Sequence, residues 1–461
     1  IPGKILLLSA TQILTVEQKN KWKNKFRKCS KKTSSSEANV YDVVIDKLTN
    51  CAYDILNTEY KKDFKKLDTL KANVTTALMN YIEKTEEKEL PEDKNNNKKL
   101  SRKEFFNKII SSTIITLSKK SDSTIKPSLL NKISKRIFKK LNKTFKKRVS
   151  SQEIKETTEV LTKTISNNTK QSDIPSLVVE LINGASSGIE KSESNISEEE
   201  KEQLSADVFE YTTTASLNST HNNDKTKEII IVETTKRKVE RIIKKNKINL
   251  KNNFNIEKLK KQLDKTNRRL LKLLSKNKTN EKYIKTYTKS FSESLKTARK
   301  ENNIDNKTLI EMTKDNIHAS FEITDSEEAQ SEVTNQSFSI LEDTEIIKSS
   351  EEAEEVSESI TDTILVAATK SAKKDKKTKT AIGNILKSIN KNKNKLVKNK
   401  RINKKSISHT AKKAVKTLYD EDTQLVKRHI ADIISTTIEK QEENTEEQIP
   451  LPPEQSEKEE I

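Results

Sequence analysis

Glycine is nearly missing from this chain: there are four in 461 residues, with seven prolines, two cysteines, two methionines and one tryptophan. So few glycines exclude a doubly wound α/β enzyme, whose phosphate loops and tight turns use glycine repeatedly. The same counts exclude collagen and a disulfide-rich miniprotein. Aromatic residues make up 4% and hydrophobic residues 31%. That excludes a multispan membrane protein and leaves too little apolar area for a large enzyme core. Catalytic motifs are also missing: the sequence holds no GxxxxGK(S/T), no GxGxxG and no HExxH. The four histidines, His221, His318, His409 and His429, stand far apart among polar neighbours. Gly184 and Gly188 flank Ala185-Ser186-Ser187 without a strand before or a lysine after, and read as a flexible joint. The reading is therefore a protein that is not an enzyme, with no cofactor and no metal site.

Charge is what the chain has in excess. Lys and Arg total 90 against 69 Asp and Glu, a net charge of +21. The charge is segregated. Residues 94–148 hold 18 basic and 2 acidic side chains, 236–278 hold 17 and 3, and 370–416 hold 18 and 1. Residues 186–210 carry −6, 321–362 carry −13 and the tail from 439 to 460 carries −7. Two functions compete for this pattern. Opposite blocks attract one another between copies, so the partner is the chain itself, in a homo-oligomer or larger assembly. Deleting 321–362 is then expected to abolish self-association. Alternatively, the basic blocks bind a polyanion such as nucleic acid in a nuclear or chromatin-associated role. Against the second, Lys far outnumbers Arg, and stacking aromatics are not interleaved with the basic residues.

The hydrophobic spacing predicts an all-α fold of short amphipathic helices in irregular tandem units of two or three, with polar disordered linkers and an acidic disordered tail. One pattern recurs: an aliphatic residue, then Ser or Thr, then Glu three positions later, then a helix. It occurs at Ser150 and Glu153, at Ser197 and Glu200, and at Thr324 and Glu327. Such a box satisfies two free amides at a helix start, and the aliphatic residue before it staples the first turn. Looser copies lie at Asn255 and Asn403. The apolar stripes that follow step by three and four. They read Ile154, Thr157, Leu161, Ile165; then Leu204, Val208, Tyr211, Ala215; then Leu259, Leu263, Leu270, Leu274, with one double step; then Ala329, Val333, Ser337, Ile340. Further helices are expected at 105–117, 127–141, 175–189, 229–248, 283–295, 307–321, 356–369 and 380–396.

One stretch runs Phe291-Ser-Glu-Ser-Leu295, Leu309-Ile310, then Ala319-Ser320-Phe321-Glu322-Ile323-Thr324, then Ala329 through Leu341. Together with Leu177-Val178-Val179-Glu180 and Gly184 through Ile189, it resembles the helical repeat units of spider silk proteins, the spidroins, of aciniform and tubuliform type. The resemblance covers about residues 104–418 and implies small Ser-rich helical bundles in a secreted, gland-made fibre or coating component. The chain departs from that pattern by carrying Lys, Asn and Glu where such repeats carry Ser, Ala and Gln.

The segment boundaries expected are 1–15, 16–100, 101–172, 173–224, 225–280, 281–345, 346–438 and 439–461. The first fits either the end of a secretory signal or the first turn of a buried helix. No segment is apolar enough to span a bilayer. Cys29 and Cys51 allow one disulfide if the chain is secreted, or two free thiols if it is not. Trp22 and Phe26, four apart in a basic stretch, dock a helix or touch a polyanion.

Overall fold

The computed structural model describes residues 15–33, 50–51, 53–56, 64–90, 92–93, 97–119, 125–247 and 255–374. Residues 1–14, the expected cap at Asn403, the helix at 380–396, most of the basic block 370–416 and the acidic tail lie outside them. Among the described residues the protein is all-α. Its extended structure there is a two-residue antiparallel ribbon, β1 (Glu92–Asp93) paired with β2 (Lys98–Lys99). The chain divides into two compact units, Ile1–Lys238 and Val239–Ile461.

The first unit contains α1 (Val16–Thr33), α2 (Phe64–Lys84), α3 (Arg102–Lys119), α4 (Pro127–Lys139), α5 (Leu141–Phe145), α6 (Ser151–Asn167), α7 (Ile174–Glu190) and α8 (Glu198–Asn218). In it, α4 packs on α2 and α7, α7 on α8, α8 on α6, and α6 on α3. The next helix, α9 (Asp224–Lys245), begins in this unit. The second unit contains α10 (Ile256–Lys276), α11 (Lys278–Glu281), α12 (Ile284–Asn302), α13 (Asn306–Ile323), α14 (Glu327–Ser339) and α15 (Ser350–Lys374). Here α13 is central and packs against α10, α12, α14 and α15.

Local chemistry sets the helix ends. Pro127 opens α4 at a position whose amide needs no partner. Asn303, with φ of 52°, closes α12 in the left-handed conformation that Asn tolerates. The last carbonyls of α2 are capped by the buried Arg102, which donates to Ile82 O and, at 2.7 Å, to Thr85 O. A guanidinium at a helix C-terminus also opposes the macrodipole.

How does a chain with so few apolar residues fill two cores? Thr and Ser complete the aliphatic stripes. Buried Thr158, Thr234, Thr313 and Thr334 each donate their hydroxyl to the carbonyl four residues back, at 2.6 to 2.8 Å. Ser216, Ser292 and Ser294 do the same. The polar atom is satisfied inside its own helix, so the methyl or methylene packs without the 1–3 kcal/mol, roughly, that an orphaned hydroxyl would cost. This moves one stripe. On α8 the buried residues include Leu204, Val208, Phe209, Ser216 and Leu217, with the Ser216 hydroxyl donating to Thr212 O. Tyr211 and Ala215, expected inside, are half-buried. The hydroxyl residues that turn the face were counted as polar in the sequence.

Two expectations are corrected. Gly184 and Gly188 form no joint; both lie inside α7, against α4. A Cβ added at Gly184 would stand 2.4 Å from Asn131 O, and one at Gly188 2.5 Å from Lys135 O. The absence of side chains lets two helix backbones touch. Nor is the acidic block 321–362 a removable stretch. It contains α14 and the first half of α15, and buries Val333, Phe338, Ile340, Leu341, Val356 and Ile360. Deleting it would remove core, so its charge has to be tested by substitution.

Candidate functional site

Two sequence-predicted caps meet in the first unit. At the start of α6, Ser150 and Glu153 form the capping box, with the Ser150 amide donating to Glu153 Oε2 at 2.8 Å. Val149 and Ile154, at the staple positions, are both buried. Glu153 is itself buried, which opposes its charge. Bonds from Lys147 Nζ at 2.5 Å, from the Ser150 hydroxyl and from backbone amides outweigh that and hold its carboxyl at about 2. At the start of α8, Ser197 accepts from the Glu200 amide at 3.2 Å. The Glu200 carboxylate does not complete that box; it pairs across with Arg148. Arg148, Ser150, Ile196, Glu200 and Leu204 line a cleft of about 360 Å³ between the two helix starts. Behind it, buried Asp207 accepts from the Ser151 hydroxyl at 2.5 Å and from Gln203 at 3.2 Å. Glu153 and Asp207 spend their hydrogen bonds on neighbouring groups, and Glu153 stays ionised at neutral pH. The arrangement fixes helix ends.

Glu153 gives a pH prediction. Its folded pKa lies below the unfolded value of about 4.5, so its contribution is present above about pH 4.5 and is lost as pH falls toward 2. Glu153→Gln is expected to cost about 3 kcal/mol at pH 7. The gap to the parent chain should close below pH 3 in urea melts followed by circular dichroism.

The second unit separates opposite charges. Along α10, Lys258, Lys261, Lys265, Lys272 and Lys276 are all exposed. Their steps of three, four, seven and four keep them on one face, over about 27 Å at 1.5 Å per residue. The opposite face buries Leu259, Leu263, Asn267, Leu270 and Leu274. The flank toward α13 is paired: Lys260 with Glu311 at 2.8 Å, and Arg268 with Asp264 at 2.9 Å and Glu322 at 2.6 Å. Hydrogen bonding to Glu311 raises the Lys260 pKa, and the same bond lowers that of Glu311. Acidic residues gather elsewhere, where α14 gives way to α15. Glu342, Asp343, Glu345, Glu351 and Glu355 are exposed there, with Glu352, Glu354 and Glu358 half-buried beside them.

Under the surface, Tyr287 donates to Asn267 Oδ1 at 3.0 Å, Asn267 to Asn316 Oδ1 at 2.9 Å, and Asn316 to Ser292 Oγ at 3.0 Å. All four residues are buried. This relay ties α10, α12 and α13 together. Asn267 occupies the double step that the sequence left between Leu263 and Leu270.

Of the remaining predicted residues, Cys29 and Cys51 are joined in a disulfide that ties α1 to the helical residues 50–51. Phe26 is buried. Thr324 and Glu327 do not form a box. Helix α13 runs through Ile323, so Thr324 caps its C-terminus, and Ser326 takes the next N-cap by accepting from the Ala329 amide at 3.3 Å. Asn255 caps α10 through the Lys258 amide. The same signal was overlooked at Ser101 and Glu104, which form a full box at α3 with bonds of 2.7 and 3.1 Å. His318 is half-buried, and its burial lowers its pKa. Among the described residues no helix is long and apolar enough to cross a membrane. No protein family and no curated protein matches this chain.

Proposed function

We propose that this chain is a secreted, non-enzymatic structural protein that self-associates through its segregated charge, a silk-like role of the kind the spidroin resemblance implies. The observation that carries the reading is the charge separation in the second unit. One helix presents a row of lysines, and a different part of the same unit presents carboxylates. Folding leaves both sets at the surface, so neither fully neutralises the other within the unit. The Cys29–Cys51 disulfide supports an oxidising compartment. Helix contacts filled by Ser and Thr suit the Ser-rich bundles of the resemblance. A nuclear role in nucleic-acid binding rests on the same basic blocks, but Arg268, a planar fork suited to phosphate, is held by Asp264 and Glu322.

The full-length oxidised chain should grow in mass by light scattering in low salt. It should return to monomer as the Debye length shrinks from about 10 Å at 0.1 M to about 3 Å at 1 M. A chain that stays monomeric at high concentration in low salt would remove the proposal.

A further inference from the structure

We infer that the lysine row of α10 is the docking face for the acidic start of α15 in a second copy, the stretch that carries Glu351, Glu354, Glu355 and Glu358. The inference rests on the self-association reading and names its interface. Three observations carry it. The row is long, single-signed and exposed: Lys258, Lys261, Lys265, Lys272 and Lys276 share one face of one helix. The carboxylates flanking the row, Glu257 and Asp264 on α10 and Glu311 and Glu322 on α13, are bonded to Lys260 and Arg268. The acidic surface is its counterpart in sign and form, with Glu351, Glu354, Glu355 and Glu358 spaced at helical intervals on α15, so one helix can lie along another. Exposed ion pairs contribute little singly and act only as a network, which makes the contact weak, reversible and sensitive to salt. The two faces differ, so the contact is head-to-tail. Each copy that docks still offers a free face, and assembly runs on into open chains unless the geometry closes a ring.

The test reverses each face in the full-length chain. One variant carries K261E, K265E, K272E and K276E; the other carries E351K, E354K, E355K and E358K. Circular dichroism checks that both keep their helix content. Each variant alone should associate about tenfold or more weakly than the parent chain in low salt, because like charges now face each other. An equimolar mixture of the two should assemble again, since every contact in it regains a pair of opposite sign. A role confined to folding would not be rescued by mixing.

If both variants assemble like the parent chain, the interface is wrong and self-association survives. If only the acidic-face variant changes, those carboxylates meet some other basic partner, such as residues 370–416, and the pairing is overturned. If the lysine variant loses binding to a duplex DNA probe while assembly is unchanged, the row serves a polyanion and the inference fails. A parent chain that never associates removes the underlying reading as well.

Discussion

Leucine at both 184 and 188 is expected to unfold the α4–α7 pair and cost about 3 kcal/mol or more, a large part of the stability of a single domain. Glycine inside a helix is ordinarily a weakness, and alanine at an exposed position would gain about 1 kcal/mol of helix propensity. Here the sign reverses. The atoms that an added Cβ meets, Asn131 O and Lys135 O, belong to the backbone of α4 and cannot rotate away. Even alanine has to push the helices apart, which strips contact from Ile133, Ile137, Val178 and Ile182, all buried. Urea denaturation of G184A, G188A and the double leucine variant should show falling midpoints in that order of severity. A rise in midpoint for either alanine variant would mean that the helices are not in contact at these positions.

Asn267→Leu is the second large effect, and its direction runs against the sequence pattern. Leucine would turn Leu259, Leu263, Leu270 and Leu274 into an unbroken stripe. It would also leave the Tyr287 hydroxyl and the Asn316 side chain without their partner in a buried site. Each orphaned group costs about 1–3 kcal/mol, so a loss of about 3 kcal/mol is expected despite the added apolar area. Burial already drives the Tyr287 pKa upward. The double variant N267L/N316L should recover part of the loss, because it removes two polar groups together; thermal melts of the single and double variants would measure that coupling. A stable N267L would show that the relay contributes nothing.

These cases mark what could be read from the residues. Helix positions were legible because the capping chemistry is local: Ser150 and Glu153 decide a helix start between themselves. The shift from Thr324 to Ser326 was not, since it depends on how far α13 continues before it ends. The width of the cores was hidden because a threonine that bonds its own helix looks polar in a sequence and packs as if apolar. Asn267 was hidden for a related reason: an isolated polar residue in a stripe is a gap until its partners, Tyr287 and Asn316, arrive from other helices. Net charge was legible by block, but blocks do not say which side chains share a face. The lysine row became visible only once α10 had buried its leucines. The glycine pair was misread because close contact between backbones leaves no local signature beyond small residues four apart.

The hydroxyls that complete the helix faces have a consequence for the chain before it reaches its final state. When a helix detaches from an aliphatic core it exposes a greasy strip, and at high concentration such strips stick to one another irreversibly. A helix faced partly with Thr158, Thr162, Thr313 or Thr334 exposes methyl groups interrupted by oxygens that water can reach. Partial opening therefore creates a surface that is still wettable.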